Sequence, residues 1–388
     1  MRVLVASTGG AGHFNPLVPF IEALQRRGDQ VLIAVPPELQ TTVAATGLPF
    51  EIGGSPPRHE LEAIWRRVPQ VSPRQAAVLV NREIFGRLCT AAMLPAVDKA
   101  FDHWHPDLVL REPCEYASAI AAARRDIPHA QVAISQGRIE SSSLAVAAKV
   151  LAPYGKGIVE KMRAAPYLTR FPAALDPPAF ADTRRFAEAA TASPDPLPDW
   201  WSGSDAPLVY VTFGSIAGGL PIGVGAYRAA LGAVDGLDAR VLLTVGRAAD
   251  VQAIGPIPAN VHVEAWVPQG SVLAAAALVV CHGGSGTTFG ALAAGVPLVM
   301  VPMWADQPAN ARAVAEAGAG VVVAPGEGGV DTMLAVQPGD APRIRAAIES
   351  VLGNQSYRDA ARRIAGDMRS LPTIETLLVS LDSGRRPR

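Results

Sequence analysis

The sequence predicts an α/β protein built from two doubly wound parallel-sheet domains. Short apolar runs of strand length alternate with segments of helical periodicity, a pattern typical of parallel strands covered by helices on both faces. The alternation stops between Thr191 and Pro207, where Pro, Ser, Gly and Asp dominate, and then begins again. The 388 residues suffice for two hydrophobic cores, so we expect two domains joined by a linker.

The first half of the chain alternates between predicted strands and predicted helices from its first residues onward. A helix with apolar residues at helical spacing begins near Asn15 and ends at Gly28, and another begins near Glu115. The predicted strands of this half are RVLVAST, QVLIAV, PDLVLRE and HAQVAIS. Together these elements define an N-terminal domain over residues 1–195.

The second half repeats the pattern after a linker over residues 196–207. One helix is predicted in GAYRAALGAV and another after the glycines that follow Cys281. The predicted strands are LVYVTFGS, RVLLTVG, VHVEAWV, ALVVC and PLVMVPM. These elements define a C-terminal domain over residues 208–371. Residues 372–388 are expected to form a last helix, TIETLLVSL, and a disordered tail, SGRRPR.

Composition and charge narrow the class of partners. The formal net charge of −1 gives no global attraction to nucleic acid or anionic lipid, so local groups must hold any anionic ligand. Cys89, Cys114 and Cys281 are far apart and form no CxxC pair, which argues against a disulfide framework or zinc site and fits a reducing cytoplasm. We find no signal peptide and no apolar run of the roughly 18–20 residues that a membrane helix needs. We therefore expect a cytoplasmic protein without a membrane span.

Two glycine-rich turns follow strands and precede helices. The first, STGGAGHFNP, carries His13 at the predicted carboxyl edge of a sheet, where α/β proteins place their sites. An imidazole has an unperturbed pKa of ~6.5, so His13 is a candidate general base. In the second turn, His282 precedes glycines and hydroxyl residues at a helix start, where free amides and the helix dipole bind phosphates. This turn is neither a Walker loop nor a dinucleotide fingerprint, and His282 is alternatively an ordinary residue at a helix entry.

The second turn is one of a series of motifs. W-x-P-Q, H-G-G-x-G-T, G-V-P and D-Q-x-x-N-A occur in this order, GxGHxxP stands near the N-terminus and VTFGS opens the second half. This series resembles the signature of GT-B glycosyltransferases, most closely the bacterial antibiotic and natural-product branch, and it spans nearly the whole chain. The resemblance implies two Rossmann-like domains that face a cleft, with the acceptor bound by the first domain and the donor by the second. It also implies that the last helix crosses back to the N-terminal domain.

The resemblance further implies an inverting, metal-independent transfer of a sugar from a nucleoside diphosphate to a hydroxyl of a small hydrophobic aglycone. The sugar would be a deoxysugar or glucose, and no other cofactor is expected. His13 would take the proton of the acceptor hydroxyl. In this family a carboxylate often orients that histidine, and Glu112, at the end of PDLVLRE, is our candidate. Glu112 is alternatively a surface carboxylate at a strand end, and its neighbours Arg111 and Glu115 leave the assignment open.

The same resemblance implies which residues hold the diphosphate. His282 would contact it, together with amides around four residues of the second turn, Gly284, Ser285, Gly286 and Thr287. Ser215, in VTFGS, would donate a further hydrogen bond or is alternatively a turn serine. No DxD-type carboxylate pair stands where a metal would be needed, so we expect this cradle to hold the diphosphate without a cation.

In this family, different residues bind the base, the ribose and the sugar of the donor. Trp266 and Gln269 resemble the pair that receives the base and its ribose, although a buried structural tryptophan is the alternative. Asp306 and Gln307 resemble the pair that binds the sugar hydroxyls. In plant-type relatives a glutamate eight residues beyond the motif histidine binds both ribose hydroxyls, whereas this chain has Gly290 there. A deoxyribose has no 2′-hydroxyl to satisfy, so we expect dTDP rather than UDP, with main-chain groups or water as alternative ribose partners.

The acceptor site is less defined by the sequence. Residues 51–81 are rich in Pro, Arg and short apolar stretches, and we predict a mobile loop and helix near the acceptor cleft. Trp65 and Phe85 are candidate lining residues, with Met93 and Leu144 as further ones, and core packing is the alternative for each. A flat polyketide or aromatic aglycone fits such a site. The sequence does not decide the oligomeric state, and a homodimer is one of the possible states.

Three other functions share parts of this pattern. A nucleotide-sugar 2-epimerase or a lipid-intermediate GlcNAc transferase also needs a diphosphate cradle, but GxGH and the Asp-Gln pair favour transfer to a small acceptor. A non-catalytic auxiliary activator of a partner transferase would not need to retain His13, His282 and Asp306. A nicotinamide oxidoreductase is disfavoured, because no GxGxxG with an acidic residue ~20 residues further on occurs at the first turn.

Overall fold

The computed structural model describes residues 1–187, 195–247, 249–326 and 335–382. The chain divides into two compact units, Met1–Ala189 with Leu371–Arg388, and Ala190–Ser370. Each unit contains one parallel sheet, which confirms the predicted α/β class. The predicted disordered tail, 383–388, and residues 191–194 of the Pro-rich segment lie outside the described residues.

The first unit is built on a seven-stranded sheet with the order β3-β2-β1-β4-β5-β6-β7. Every neighbouring pair is parallel. The central strands are apolar and buried, as expected for strands covered on both faces. The strands are β1 (Arg2–Ala6), β2 (Gln30–Val35), β3 (Phe50–Ile52), β4 (Leu108–Arg111), β5 (His129–Val132), β6 (Tyr167–Thr169) and β7 (Thr183–Arg185).

Helices cover both faces of this sheet. They are α1 (Ala11–Phe14), α2 (Val18–Arg26), α3 (Gln40–Ala44), α4 (Arg58–Arg67), α5 (Pro73–Val78), α6 (Thr90–Trp104), α7 (Ala117–Arg124), α8 (Gly137–Leu151) and α9 (Ile158–Ala164). One apolar cluster joins β1, β2 and α2, and another joins the opposite face of the strands to α6 and α7. Short 3-10 turns at Asn15–Leu17, Pro37–Leu39, Val68–Gln70 and Ala152–Tyr154 link several elements.

The segment 51–81 is more helical than the predicted loop and helix. After β3 the chain forms α4, a 3-10 turn and α5, and then a π-helix over Leu79–Cys89 that runs directly into α6. Ser72 and Gln75 form a reciprocal capping box that starts α5 with a proline in its first turn. The local capping signal therefore produces a helix where proline content had suggested a loop.

The second unit is built on a six-stranded parallel sheet with the order β10-β9-β8-β11-β12-β13. Its strands are β8 (Leu208–Thr212), β9 (Arg240–Thr244), β10 (Val261–Glu264), β11 (Ala276–Cys281), β12 (Leu298–Met300) and β13 (Gly320–Val322). Its helices are α10 (Gly214–Ala217), α11 (Pro221–Val234), α12 (Gln269–Ala275), α13 (Ser285–Ala293), α14 (Gln307–Glu316), α15 (Ala341–Gly353) and α16 (Gln355–Arg369). Two 3-10 turns lie at Val251–Ile254 and Pro338–Asp340.

The chain ends in the first unit with α17 (Ile374–Asp382). Ile374, Leu377 and Leu378 of this helix pack into the core cluster of β1, β2 and α2. Glu375 pairs with Arg26 of α2 at 2.7 Å. None of the helices that the structure describes combines the length and the apolar character needed to traverse a bilayer.

Parallel pairing fixes where the candidate site residues lie within each unit. Carboxyl ends of parallel strands share one edge, so the turns that leave them are neighbours. In the first unit, His13 lies in α1 after β1, and Glu112 lies in the turn after β4. In the second unit, Ser215 lies in α10 after β8, and His282 and Asp306 lie in the turns after β11 and β12.

Candidate active site

The candidate site of the first unit is centred on His13 and Glu112. Ala6 at the end of β1 pairs with Arg111 at the end of β4, so the two following turns leave the sheet side by side. His13 Nδ1 lies 3.2 Å from Glu112 Oε2, and the two side chains are 21% and 0% exposed. The imidazole thus reaches the surface while the carboxylate beside it is buried.

The Glu112 carboxylate is held by several donors. Its Oε1 accepts hydrogen bonds from Thr8 N at 3.1 Å and Thr8 Oγ1 at 2.7 Å, and its Oε2 accepts one from Cys114 N at 2.7 Å. Burial raises the pKa of Glu112, but the charge and hydrogen bond of His13, together with these donors, outweigh it and lower the pKa below its ordinary value. Glu112 is therefore ionised at neutral pH and can stabilise a protonated imidazole.

The neighbours of Glu112 build the turn that carries it. Arg111 is fully buried, and its Nη1 donates to the carbonyl oxygens of Glu112, Pro113 and Glu115, each at 3.1 Å. The Glu115 carboxylate accepts hydrogen bonds from the amide and hydroxyl of Ser118, and burial raises its pKa. Of these three neighbouring residues, the candidate Glu112 is the one that the structure places against the histidine.

An aromatic ring covers one side of the imidazole. The Phe85 ring centroid lies 5.2 Å from that of His13, with the rings tilted by 48°. Phe85 lies in the π-helix Leu79–Cys89, a rare geometry that is frequent at functional sites. Gly86 lets this helix approach α8 closely, because a Cβ there would lie 2.9 Å from Val150 Cγ2. The π-helix thus presents an apolar surface next to the candidate base.

The other candidate acceptor residues have different positions. Trp65 lies on α4 and is 49% exposed. Met93 and Leu144 are 2% and 3% exposed and belong to core clusters. Both side chains therefore pack in the core, which was the alternative to lining the acceptor cleft.

Three potential metal ligands meet at this site. His13, Glu112 and Cys114 each offer a ligand atom, and these atoms lie within 4.8 Å of one another. Both carboxylate oxygens already accept hydrogen bonds from Thr8 and the Cys114 amide. Burial, with the nearby charge of Glu112, raises the pKa of the Cys114 thiol well above its ordinary value, so the thiol is protonated where no cation is bound. The hydrogen bonds from Thr8 and the Cys114 amide hold the carboxylate in its position beside His13.

The candidate residues of the second unit form a row along the carboxyl edge of its sheet. The strand order β10-β9-β8-β11-β12 places the following turns in the same order. The row therefore reads Trp266, Ser215, His282 and Asp306, and Arg247, which was not a predicted site residue, lies after β9 between Trp266 and Ser215. Neighbouring strands are ~4.8 Å apart, so the outer members are separated by about 19 Å. Such a row offers separate contacts to the parts of an extended ligand.

His282 is packed between two glycines. A Cβ added to Gly214 would lie 3.0 Å from His282 Nε2, and one added to Gly284 would lie only 2.4 Å from the same atom. Gly214 also has φ 81°, a conformation that favours glycine. Burial lowers the pKa of His282 to about 4, although the Asp306 carboxylate acts to raise it. The imidazole is therefore neutral at pH 7 and offers a hydrogen bond rather than a charge.

The depressed pKa of His282 predicts a pH dependence of stability. The unfolded chain binds the proton near pH 6.5 and the folded chain only near pH 4, so protonation favours unfolding as the pH falls through this window. We expect the free energy of unfolding of the unsubstituted protein to fall more steeply from pH 7 to pH 5 than that of His282→Gln. The difference in slope should be at most about 1.4 kcal/mol per pH unit. Urea unfolding at pH 7, 6 and 5 measures it, and parallel curves would contradict the assignment. His129, whose pKa burial lowers to about 3, is present in both proteins and cancels.

A buried asparagine ties the turn after β11 to the turn after β12. Asn310 Nδ2 donates to Gly283 O at 2.9 Å, Ser285 Oγ at 3.0 Å and Asp306 Oδ2 at 3.0 Å. Ser285 Oγ also donates to Asp306 Oδ2 at 2.7 Å. Asn310 was not a predicted site residue, although it is the asparagine of D-Q-x-x-N-A. Its spacing of one helical turn from Asp306 was the available signal.

Gln307, which was predicted to bind the sugar hydroxyls, also makes hydrogen bonds within the protein. It is buried, and its Oε1 accepts hydrogen bonds from the amides of Met303 at 2.8 Å and Trp304 at 3.0 Å. This carbonyl oxygen thus braces the turn after β12. The Gln307 side chain contributes to the shape of the turn that presents Asp306.

The remaining predicted donor residues lie at or near the same edge. Trp266 is 57% exposed, so its interpretation as a buried structural tryptophan is wrong. Gln269 Nε2 donates to Thr287 Oγ1 at 3.3 Å, and a Cβ on Gly290 would lie 3.3 Å from Gln269 Oε1. The Gln269 amide therefore covers the position where plant-type relatives carry a glutamate. Ser215 and Gly286 are exposed at the starts of α10 and α13.

Models of one protein family match both halves of the chain. Residues 22–153 match the N-terminal domain described as erythromycin biosynthesis protein CIII-like, and residues 228–381 match the C-terminal domain of the same description. The two matches together cover most of the sequence and include His282, Asp306 and Glu112.

Similar proteins match the chain over nearly its full length. It is 30% identical to elloramycin glycosyltransferase ElmGT of Streptomyces olivaceus, with 96% of this chain and 94% of that protein covered. It is also 30% identical to L-demethylnoviosyl transferase of Streptomyces niveus, with 100% and 99% covered. Among solved structures it resembles the glycosyltransferase SsfS6 of Streptomyces sp. SF2575, complexed with thymidine diphosphate. That match has a TM-score of 0.74 and 25% identity and covers 99% of this chain and 100% of the other.

Proposed function

This chain belongs to the erythromycin biosynthesis protein CIII-like glycosyltransferases, GT-B enzymes of the macrolide and antibiotic type, and we propose that it transfers a sugar from dTDP to an aglycone hydroxyl with inversion. The acceptor in this proposal is a small, hydrophobic natural product. The observation that carries the mechanism is the buried, ionised carboxylate of Glu112 beside the partly exposed imidazole of His13.

The proposed chemistry uses His13 as a general base. The acceptor oxygen forms a bond to the anomeric carbon as the bond from that carbon to the diphosphate oxygen breaks. The acceptor proton passes to His13 Nε2, because Nδ1 faces Glu112 at 3.2 Å. Glu112 stabilises the resulting imidazolium. Attack on the face opposite to the leaving diphosphate inverts the anomeric configuration.

The second unit binds the donor in this proposal. The amides around Gly284, Ser285, Gly286 and Thr287, with Ser215 and the neutral His282, hold the diphosphate. Donors aimed at developing negative charge contribute about 3–4 kcal/mol each to catalysis. Trp266 receives the base, Gln269 the deoxyribose, and Asp306 and Gln307 the sugar hydroxyls. Hydrogen bonds from Ser285 and Asn310 to Asp306 Oδ2 fix the orientation of the carboxylate in the turn.

Two observations support dTDP over UDP. Gly290 offers no carboxylate to a ribose 2′-hydroxyl, and the Gln269 amide lies over this position. The related enzyme SsfS6 is complexed with thymidine diphosphate. A donor with a 2′-deoxyribose leaves no unsatisfied hydroxyl at this place.

A nucleotide panel followed by an acceptor screen tests the proposal. In a thermal-shift assay dTDP should raise the melting temperature more than UDP, and ADP or GDP should have little effect. Release of dTDP from dTDP-glucose or a dTDP-deoxysugar is then measured with polyketide and phenolic aglycones, and product NMR reports the anomeric configuration. Failure of every nucleotide to stabilise the protein would contradict the proposal. Formation of an epimer without an acceptor would instead favour an epimerase.

Metal removal gives a separate prediction. The diphosphate is held by amides, hydroxyls and an imidazole in this proposal, so no divalent cation has to bridge it. We expect the initial rate in EDTA to stay within about twofold of the untreated rate, a change smaller than the loss of one hydrogen bond would cause. Loss of activity in EDTA that added Mg²⁺ restores would contradict it.

A further inference from the structure

Arg247 is an exposed arginine in the row of candidate donor residues. It follows β9, and its guanidinium carbon lies 5.3 Å from the centre of the Trp266 ring. In the part of the chain that the structure describes, no carboxylate pairs with this guanidinium. Its hydrogen-bond donors are therefore available to a ligand that reaches the same edge.

The turn that carries Arg247 is fixed between two turns with predicted ligand contacts. Gly246 N donates to Ala265 O at 3.0 Å, next to Trp266. Gly246 has φ 85°, and a Cβ there would lie 3.3 Å from Ser215 O, so the backbone passes close to the turn after β8. Arg247 thus lies between the aromatic ring and the start of the diphosphate cradle.

The charges along the row favour a cation at the position of Arg247. The diphosphate of a nucleotide sugar is a dianion, whereas His282 is neutral at pH 7 and Ser215 contributes only a hydroxyl. Asp306 adds a negative charge at the far end of the row. Arg247 brings the positive charge to this set of residues. A guanidinium can also stack on an aromatic ring and bind phosphate through its planar fork at the same time.

We infer that Arg247 is a donor-binding residue that contacts the diphosphate of the nucleotide between the base on Trp266 and the cradle at His282. This inference rests on the proposed function, because it assumes a nucleoside diphosphate laid along the carboxyl edge. A ligand that spans β10 to β11 must cross the turn after β9. The alternative is that Arg247 only supports the Trp266 ring.

The test compares dTDP with thymidine, which shares the base and deoxyribose but has no phosphate. Titration calorimetry is carried out on the full-length protein and on Arg247→Gln, Arg247→Lys and Arg362→Gln, with thymidine measured by competition. Arg362 is an exposed arginine of α16 near Gly295, which leads into the opposite, amino end of β12, so its substitution controls for the loss of one charge.

We expect the substitution of Arg247 to weaken the binding of the ligand that carries phosphates and to leave the binding of thymidine nearly unchanged. Arg247→Gln should weaken dTDP binding about tenfold and thymidine binding less than about twofold. Arg247→Lys should recover part of the loss, and Arg362→Gln should bind dTDP like the unsubstituted protein. Unchanged dTDP affinity in Arg247→Gln, or an equal loss for dTDP and thymidine, would overturn the inference. If the unsubstituted protein binds neither dTDP nor UDP, the proposed function itself fails, which is a different outcome.

Discussion

His13→Ala is expected to lower kcat by about 10²–10⁴-fold while the affinity for dTDP stays unchanged, because a positioned general base contributes a factor of this size. The histidine belongs to the first unit, whereas all proposed nucleotide contacts belong to the second. Removing it therefore removes the proton acceptor without touching the donor residues. The measurements are kcat, with an acceptor found in the screen, and titration calorimetry with dTDP.

A second surface histidine provides the matched control. His103 lies in the last turn of α6, before the amino end of β4, and its Nε2 is 3.4 Å from Glu51 Oε1. His103→Ala removes an imidazole at the opposite edge of the same sheet and should leave kcat within about twofold, as is typical of surface substitutions. A His13→Ala protein that retains kcat but loses dTDP binding would reverse the roles assigned to the two units.

Glu112→Gln should lower kcat by about 10²-fold or more and also destabilise the fold. The carboxylate accepts from Thr8 N, Thr8 Oγ1 and Cys114 N, and it faces His13. A glutamine keeps one acceptor oxygen and turns an NH₂ group towards donors, so at least one buried donor loses its partner, which costs about 1–3 kcal/mol. If the NH₂ group faces His13, it favours the tautomer whose Nε2 carries the proton and cannot accept another.

The pH dependence of stability has a defined sign for this residue. Because the folded pKa of Glu112 is lowered, its contribution to stability is complete above the unfolded pKa of about 4.5 and is lost as the pH falls through the folded pKa. Glu112→Gln should lack this acid-sensitive contribution. Urea unfolding from pH 7 to pH 3 therefore complements the kinetic measurement.

Glu115→Gln is the control for a buried carboxyl group in the same turn. Burial raises the pKa of Glu115, and its partner is Ser118 rather than His13. This substitution should alter stability but leave kcat within about twofold, since it removes no contact to the base. Equal losses of kcat in Glu112→Gln and Glu115→Gln would mean that the turn, and not the Glu112 carboxylate, supports activity.

All inner strands except β6, and the edge strand β10, could be predicted from the sequence, whereas the edge strands β3, β7 and β13 could not. β1, β2 and β11 contain continuous apolar runs of four, five and six residues, a length that favours a buried strand. β3, β7 and β13 have three residues each and are largely half-buried, so no periodicity marks them. The π-helix depends on the close approach of Gly86 to α8, a contact that local sequence does not encode.

The candidate site shows the same division between local and long-range information. His13, Glu112 and His282 could be selected because each lies at or shortly after the carboxyl end of a predicted strand, and their roles stay predictions. Arg247 was missed because its partner Trp266 lies on another turn. Asn310 has one partner close in sequence, Asp306, but it also bonds Gly283, 27 residues away, which the sequence does not indicate. Such contacts follow from strand order, which places distant segments of sequence side by side.

The protonation of the His13 ring tests the central claim most directly. The chain has seven histidines, so ¹⁵N-histidine labelling gives few signals, and loss of one in His13→Gln assigns the residue. At neutral pH the proposed base requires a proton on Nδ1, facing Glu112, and a bare Nε2. Ring ¹⁵N shifts of this pattern, altered in Glu112→Gln, are the predicted result. A protonated Nε2 with an unprotonated Nδ1 would contradict the account, and so would His13 ring ¹⁵N shifts that do not change in Glu112→Gln.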